Sequence, residues 1–176
     1  RVAVHSEDED RLIERKKYAE RGKPTTHPVW RDVENARLST ERVLRLSRAA
    51  GRRLHVLHVT TGDEIPLLSA AKDFATAATT PQHLTLSAPE CYERLGAYAQ
   101  MNPPIRDESH RLALWQAVRE GVIDVIGSDH APHTREEKDK EYPDTPSGMP
   151  GVQTLATILL DHVNKGNLTL ERFIDL

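Results

Sequence analysis

Four strand-like segments alternate with helix-like segments along the chain, and this alternation restricts the fold more than any other feature. The clearest strand, residues 54–59, is apolar with almost no polar alternation, which is typical of strands buried on both faces of a parallel sheet. Similar segments occupy residues 2–5, 74–79 and 122–126. Parallel strands joined by helical crossovers predict an α/β fold, either half of an eight-stranded barrel or a small doubly wound sheet. No glycine-rich phosphate-binding motif follows any strand, which argues against a nucleotide-binding fold.

Apolar residues at helical spacing mark two of the helices that we predict between these strands. In residues 35–50 the stripe comprises Val43, Leu46 and Ala50, and in residues 107–120 it comprises Leu112, Trp115 and Val118. Asp107 is a suitable N-cap for the second of these helices. Further helices are predicted at residues 7–20, 64–72, 89–95 and 152–164. Proline and glycine predict that residues 22–28 and 101–106 are not helical, and residues 127–151 form a polar loop.

Composition excludes several classes of protein. The net charge of −3 over 176 residues makes nucleic acid an unexpected partner, and no apolar run is long enough to cross a membrane. The single cysteine, Cys91, is expected to be structural and fits a reducing compartment, so we expect a cytoplasmic location. The chain begins at Arg1 without a methionine, and we expect its natural N-terminus to lie upstream.

Three of the predicted strands end on a candidate metal ligand: His5, His58 and Asp129. Because the carboxyl ends of parallel strands share one edge of a sheet, these side chains are expected to converge. His55 lies three residues before His58 and is expected to face away from the site. Two histidines and a carboxylate suit zinc or a similar divalent ion and leave room for a bound water, which becomes a nucleophile near neutral pH.

Three motifs in this order resemble dihydroorotases of the bacterial class I type, which belong to the amidohydrolase superfamily. They are His-Val-Leu-His-Val-Thr-Thr at 55–61, Met-Asn-Pro-Pro-Ile-Arg at 101–106 and Gly-Ser-Asp-His-Ala-Pro-His-Thr at 127–134. The resemblance extends from about residue 2 to the end. It implies a TIM barrel in which residues 1–176 supply the C-terminal half, strands five to eight. The His-x-His pair of the first strand and the bridging ligand of the fourth have no counterpart here, so this fragment alone is expected to be inactive.

The resemblance also implies a role for individual residues. His5 and His58 match ligands of the second metal in a binuclear zinc site, with two Zn²⁺ expected in the full-length protein. Asp129 matches a ligand of the first metal that also acts as the catalytic acid and base, and His130 supports the site. The positions that match substrate-holding residues are Asn102, His133, Ser147 and Gly148.

The implied function is zinc-dependent interconversion of dihydroorotate and N-carbamoyl-aspartate in pyrimidine biosynthesis. A hydantoinase- or allantoinase-like cyclic amidohydrolase is the alternative. A third reading is a catalytically silent partner of aspartate transcarbamoylase; a homodimer is also compatible with the sequence.

Some positions depart from the family pattern or have no assigned role. The third strand lacks a glutamate near Ala78, and Gln82-His83 replaces a common His-His pair, with His83 expected to be structural. The remaining histidines are expected to lie on the surface; they are His27, His110 and His162.

Overall fold

The computed structural model describes all 176 residues and shows one parallel sheet of four strands. Each strand pairs with the next one along the chain, in the order β1–β2–β3–β4. The register aligns Val2 with Leu54 and Leu54 with Ala75, so the strands end at a common edge. The strands are β1 (Val2–Val4), β2 (Leu54–Val56), β3 (Ala75–Thr79) and β4 (Val125–Ile126).

This strand order decides between the two α/β architectures. A doubly wound sheet reverses its order at a switch point, whereas a barrel adds each strand beside the previous one. The sheet shows no reversal, so the four βα units form about half of a TIM barrel, as the resemblance implied. No helix is both long enough and apolar enough to cross a membrane.

Ten α-helices surround the sheet, and several are a single turn or two. They are α1 (Glu9–Arg15), α2 (His27–Trp30), α3 (Val33–Ala49), α4 (Ile65–Ser69), α5 (Pro81–Thr85), α6 (Glu90–Leu95), α7 (Glu108–Arg119), α8 (Arg135–Lys138), α9 (Leu155–Asn164) and α10 (Leu170–Asp175). Helix α8 therefore lies within the predicted loop at 127–151, and α2 begins within the one at 22–28; neither helix was expected. Helices α5 and α10 were also missed, because segments this short have no measurable apolar period.

The main core lies between the sheet and the longer helices, and α7 contributes Leu114, Trp115 and Val118 to it. The prediction for Leu112 was wrong, since its side chain is 56% exposed. Leu112 and Leu114 are two positions apart and so lie on different faces of α7, which means that only one of them can point into the core. The Trp115 indole donates a hydrogen bond to the backbone carbonyl of Leu84 and fixes the rotation that buries Leu114.

Helix α3 packs Leu44 and Val43 against the main core and otherwise faces the protein with small and polar residues, so that of the predicted apolar stripe only Val43 points inward. Leu46 is 52% exposed, while Asn35 and Thr40 are fully buried. Asn35 exchanges two hydrogen bonds with the backbone of Asp8, and Thr40 donates to the buried carboxylate of Glu64. Hydrogen bonding therefore sets the rotation of this helix, which a search for apolar spacing does not detect.

Candidate metal and substrate site

His5 and His58 meet at the carboxyl edge of the sheet, as predicted. The Nδ1 atom of His5 lies 3.1 Å from the Nε2 atom of His58, and the two rings pack edge to face. His58 is buried, and its own Nδ1 atom has no partner in the protein. Two neighbouring strands thus bring two imidazole nitrogens to one point, although 53 residues separate them in sequence.

Glu7, which the sequence analysis did not single out, determines which nitrogen of His5 faces His58. The carboxylate of Glu7 lies 2.8 Å from Nε2 of His5 and also accepts hydrogen bonds from the Arg31 guanidinium. Its side chain is 1% exposed. Burial raises the pKa of Glu7, but the hydrogen bonds from His5 and Arg31 outweigh this and bring the pKa to about 2. An ionised carboxylate only accepts, so Nε2 of neutral His5 carries the proton and Nδ1 presents a lone pair.

His58 reaches His5 through its backbone conformation and not through strand alternation. β2 ends at Val56, and His58 has a φ of 35°, which is unusual for a residue other than glycine. Continued alternation would have placed His58 on the face of Val56, in the core against the helices. His55 remains in the strand and bonds to Thr76 of β3, 2.7 Å away, so it stays out of the site as expected.

Asp129 has the same unusual backbone, with a φ of 45°, and it is half-buried at the edge where His58 lies. Burial and the His5 ring lower the pKa of His58, and the nearby charge of Asp129 opposes that shift. Asp129 does not complete a group of three side chains tight enough to hold a metal ion. Asp124 is occupied elsewhere, with Lys72 and the backbone of Ala77, in agreement with the choice of Asp129. His58 and Asp129 are the only two residues other than glycine with positive φ, and such backbone strain is concentrated at functional sites.

Asn102 is fixed by a histidine that the sequence analysis assigned wrongly. His27 is 1% exposed and not a surface residue. Its Nε2 atom lies 3.0 Å from the Met101 carbonyl and 3.1 Å from Oδ1 of Asn102, so it donates to both. This contact orients the Asn102 amide, with its oxygen towards His27, and leaves the NH₂ group as a donor available to a ligand.

His133, Ser147 and Gly148, which are predicted to hold the substrate, lie together in the structure. Nε2 of His133 donates to the Ser147 carbonyl over 3.2 Å. A Cβ atom on Gly148 would lie 2.6 Å from the carbonyl oxygen of Ala131, and its φ is 145°, so no larger residue fits.

Three other histidines support this region or the core. His130 accepts hydrogen bonds from the backbone N–H groups of Gly151 and Val152. His83 is buried between Thr80 and the Pro103 carbonyl, which agrees with a structural role. His162 is buried against Thr85, so the prediction that it lies on the surface was wrong.

Comparison with known proteins gives a consistent set of relatives. The chain is 38% identical over 175 residues to the dihydroorotase of Halobacterium salinarum, a match that covers 99% of this chain and 40% of that protein. It is 32% identical over 189 residues to the L-hydantoinase of Paenarthrobacter aurescens, again covering 99% of this chain and 40% of the relative. The chain thus spans about two fifths of the length of the curated relatives it matches. No protein-family model matches the chain.

A solved structure of a related enzyme has the same fold over almost the whole length of this chain. The structure of L-hydantoinase (dihydropyrimidinase) from Arthrobacter aurescens superimposes with a TM-score of 0.92 at 30% identity. That match covers 99% of this chain and 41% of the hydantoinase chain.

Proposed function

We propose that this chain, which is 38% identical to a dihydroorotase, is the C-terminal half of the barrel of a metal-dependent cyclic amidohydrolase of the dihydroorotase family. Its reaction would be the interconversion of dihydroorotate and N-carbamoyl-aspartate. The observation that carries the proposal is the contact between His5 and His58, with Glu7 behind it. In the protein the Nε2–H of His58 donates to the Nδ1 lone pair of His5, and His58 Nδ1 has no partner. If the His58 proton moves to Nδ1, the two facing nitrogens both offer lone pairs to one ion.

The two histidines fit a zinc ion. Two nitrogens bound tetrahedrally to one Zn²⁺ at its usual bond length lie about 3.3 Å apart. The observed separation of 3.1 Å is close to that value. The contact of Glu7 with the far nitrogen of His5 is the carboxylate–histidine arrangement that supports metal ligands. Nδ1 of His5 and Nε2 of His58 would hold the ion, and Asp129 would hold a second one. The resemblance supports a pair of zinc ions.

In the proposed reaction this chain's residues bind the substrate and move a proton. Bound zinc would supply polarisation of the ring carbonyl and a water acidic enough to attack it near neutral pH. The Asp129 carboxylate takes the proton that the attacking water loses. As the carbonyl carbon–nitrogen bond breaks, Asp129 delivers this proton to the leaving ring nitrogen. The NH₂ group of Asn102 would donate to the carboxylate or ureide oxygens of the substrate. The Nε2–H of His133, which donates to the Ser147 carbonyl in the free protein, would turn to the substrate when it binds. Ser147 and Gly148 would bring backbone groups close to the ring.

The rest of the barrel would come from a preceding half that carries strands one to four. The two outer strands of the sheet support this. Val2 in β1 and Val125 in β4 are 54% and 40% exposed, and both lie in outer strands of the sheet. The outer side of β4 has one backbone partner, the Leu176 carbonyl, which accepts from the Ile126 N–H. Exposed apolar residues on an unpaired strand edge normally have a covering element. We infer that β1 and β4 each pair with a strand of the other half, and that the active, cytoplasmic protein needs both halves.

A hydantoinase-like activity is the second candidate, and one observation favours it. The L-hydantoinase structure matches almost the whole chain at a TM-score of 0.92. Hydantoin and dihydroorotate are both cyclic ureides, so the metal ligands and Asp129 serve either substrate. Selectivity between the two substrates depends on the side chains that recognise the carboxylate of dihydroorotate. Asn102 and His133 are the candidates for that role in this chain.

Hydrolysis of a substrate panel by the full-length protein tests the proposal. Dihydroorotate, hydantoin and dihydrouracil are compared at equal protein and metal content. Faster turnover of dihydroorotate supports the proposal, and faster turnover of hydantoin favours the second candidate. A purified protein with no bound metal and no turnover of any of the three would indicate a silent partner protein instead.

A further inference from the structure

Lys138 is a buried cation without a carboxylate partner. It ends α8, its residue is 6% exposed, and its pKa is lowered by burial. Its ammonium group donates only to backbone carbonyls: Pro146 at 3.0 Å, Gly148 at 3.2 Å and Gln100 at 3.5 Å. An ammonium group has three N–H donors, so these three oxygens satisfy it completely. A buried lysine of this kind is rare, because burying a charge is costly unless each hydrogen finds an acceptor.

The three carbonyls belong to the two segments that carry the predicted substrate residues. Gln100 immediately precedes Met101 and Asn102, and Pro146 and Gly148 flank Ser147. The same segments share other hydrogen bonds. The N–H of Gly148 donates to the Gln100 carbonyl over 2.9 Å, and the side-chain amide of Gln100 donates to Oγ of Ser147 over 3.0 Å. Lys138 therefore lies at the junction of two loops that are far apart in sequence.

We propose that Lys138 is a positioning residue for substrate binding: its ammonium group clamps the Pro146–Gly148 backbone against Gln100 and so presents Ser147 and Gly148 beside Asn102. This inference rests on the proposed function, because it assigns the clamp to the substrate side of the same site. No other donor reaches the Pro146 carbonyl. Without the clamp three direct bonds would join the loops: the N–H of Gly148 to the Gln100 carbonyl, and the side-chain amide of Gln100 to Oγ of Ser147 and to the Thr145 carbonyl. The geometry also explains why a cation is used, since one group must reach three acceptors at once.

Three variants of the full-length protein test the clamp. Lys138→Met keeps the length of the side chain but removes the charge and all three donors. Lys138→Arg restores a cation with several donors. Lys140→Met is the matched control, because Lys140 is two residues away in the same loop and is exposed. Backbone hydrogen exchange of residues 139–150 is measured on each protein without substrate, together with kcat and KM for dihydroorotate and the metal content.

Lys138→Met should exchange faster in residues 145–149 and raise KM about tenfold or more, with kcat changed by less than about threefold, because the clamp acts on substrate binding and not on the reacting bond. Metal content should stay constant, Lys138→Arg should recover part of the loss, and Lys140→Met should match wild type. Wild-type exchange and wild-type KM in Lys138→Met would overturn the clamp, and so would an equal fall in kcat and kcat/KM.

Two further outcomes keep the test decisive. If Lys138→Met does not fold, Lys138→Gln decides, because it keeps one donor group but loses the charge: faster exchange in residues 145–149 and a higher KM than in Lys140→Met support the clamp, and wild-type exchange with wild-type KM contradicts it. If the wild-type protein hydrolyses no cyclic amide, the proposed function fails. The exchange difference between Lys138→Met and Lys140→Met then still shows whether the clamp exists.

Discussion

Glu7 determines which nitrogen of His5 faces His58. It fixes the proton of His5 on Nε2, and Arg31 holds Glu7 in place from the other side. The carboxylate stays ionised while buried because both partners donate to it. Glu7 and His5 are neighbours in the chain, and Arg31 belongs to a separate segment. Because Glu7 holds the proton on Nε2 of His5, the Nδ1 atom of His5 acts as a hydrogen-bond acceptor.

Replacing Glu7 by glutamine should weaken metal binding in the full-length protein by about 10–100-fold, the usual effect of removing a group that supports a metal ligand. The side chain keeps its shape, but the neutral amide no longer holds the Nε2 proton of His5 strongly. Competition with a chelator measures the affinity. Glu9→Gln is the control, since Glu9 is exposed in the first turn of α1. Equal affinities for the wild type and Glu7→Gln would show that Glu7 has only a structural role.

Sequence alone predicted His5, His58 and Asp129 as candidate ligands but did not predict the contacts of Glu7 or His27. The three candidate ligands follow apolar strands, where a polar side chain is conspicuous. Glu7 opens the run Glu-Asp-Glu-Asp, which looks like the acidic start of a helix. His27 lies between prolines in a segment predicted as a loop, and its burial depends on Tyr142 and Trp30, which pack around its ring.

The longer helices show how one residue decides which face of an element is buried. In α7, Leu114 is buried and Leu112 exposed, although both are leucines two positions apart. The hydrogen bond from Trp115 to Leu84 makes the difference. Apolar spacing predicted the existence and approximate bounds of α3 and α7, but their rotation depends on hydrogen bonds to residues far away in sequence.

Leu114→Ala should lower the free energy of unfolding by about 2–5 kcal/mol, as expected for a large-to-small change in a packed core. Leu112→Ala should change it by less than about 0.5 kcal/mol, as expected for an exposed position. Chemical denaturation of the two full-length variants measures both values. Similar losses for the two variants would mean that α7 is rotated differently.

The loop segment around α2 should make stability depend on pH through His27. Burial lowers its pKa to about 4 from the usual 6.5. The unfolded chain therefore binds a proton at a higher pH than the folded protein, and stability falls as the pH decreases from about 6.5 towards 4. His27 alone should contribute a loss of about 2 kcal/mol between pH 7 and pH 5.

Urea denaturation at both pH values measures this loss. His27→Phe keeps a ring among Trp30 and Tyr142 but cannot titrate, so it should be less stable at pH 7 yet lose less stability on acidification. The other buried histidines continue to titrate in both proteins. The same pH dependence in the wild type and the variant would show that His27 does not titrate in this way.

At the scale of the whole molecule, the sequence predicted a parallel α/β fold because its strands are apolar and separated by helices. It could not choose between a barrel and a doubly wound sheet, since the order of strands in space is a long-range property. The consecutive order in the structure makes that choice. It also brings His5 and His58 into contact, because β1 and β2 are neighbours, and places Asp129 at the same edge beyond β4.

The central claim is that Asp129 moves the proton during cleavage of a cyclic amide at a metal site built on His5 and His58. The most direct test is kcat for dihydroorotate hydrolysis by full-length Asp129→Asn, with Asp161→Asn as the control for loss of an exposed carboxylate. Asp129→Asn should lower kcat by about 10²–10⁴-fold, the usual contribution of a positioned acid–base group, while the control keeps wild-type turnover. A kcat for Asp129→Asn within about twofold of the control would contradict the account.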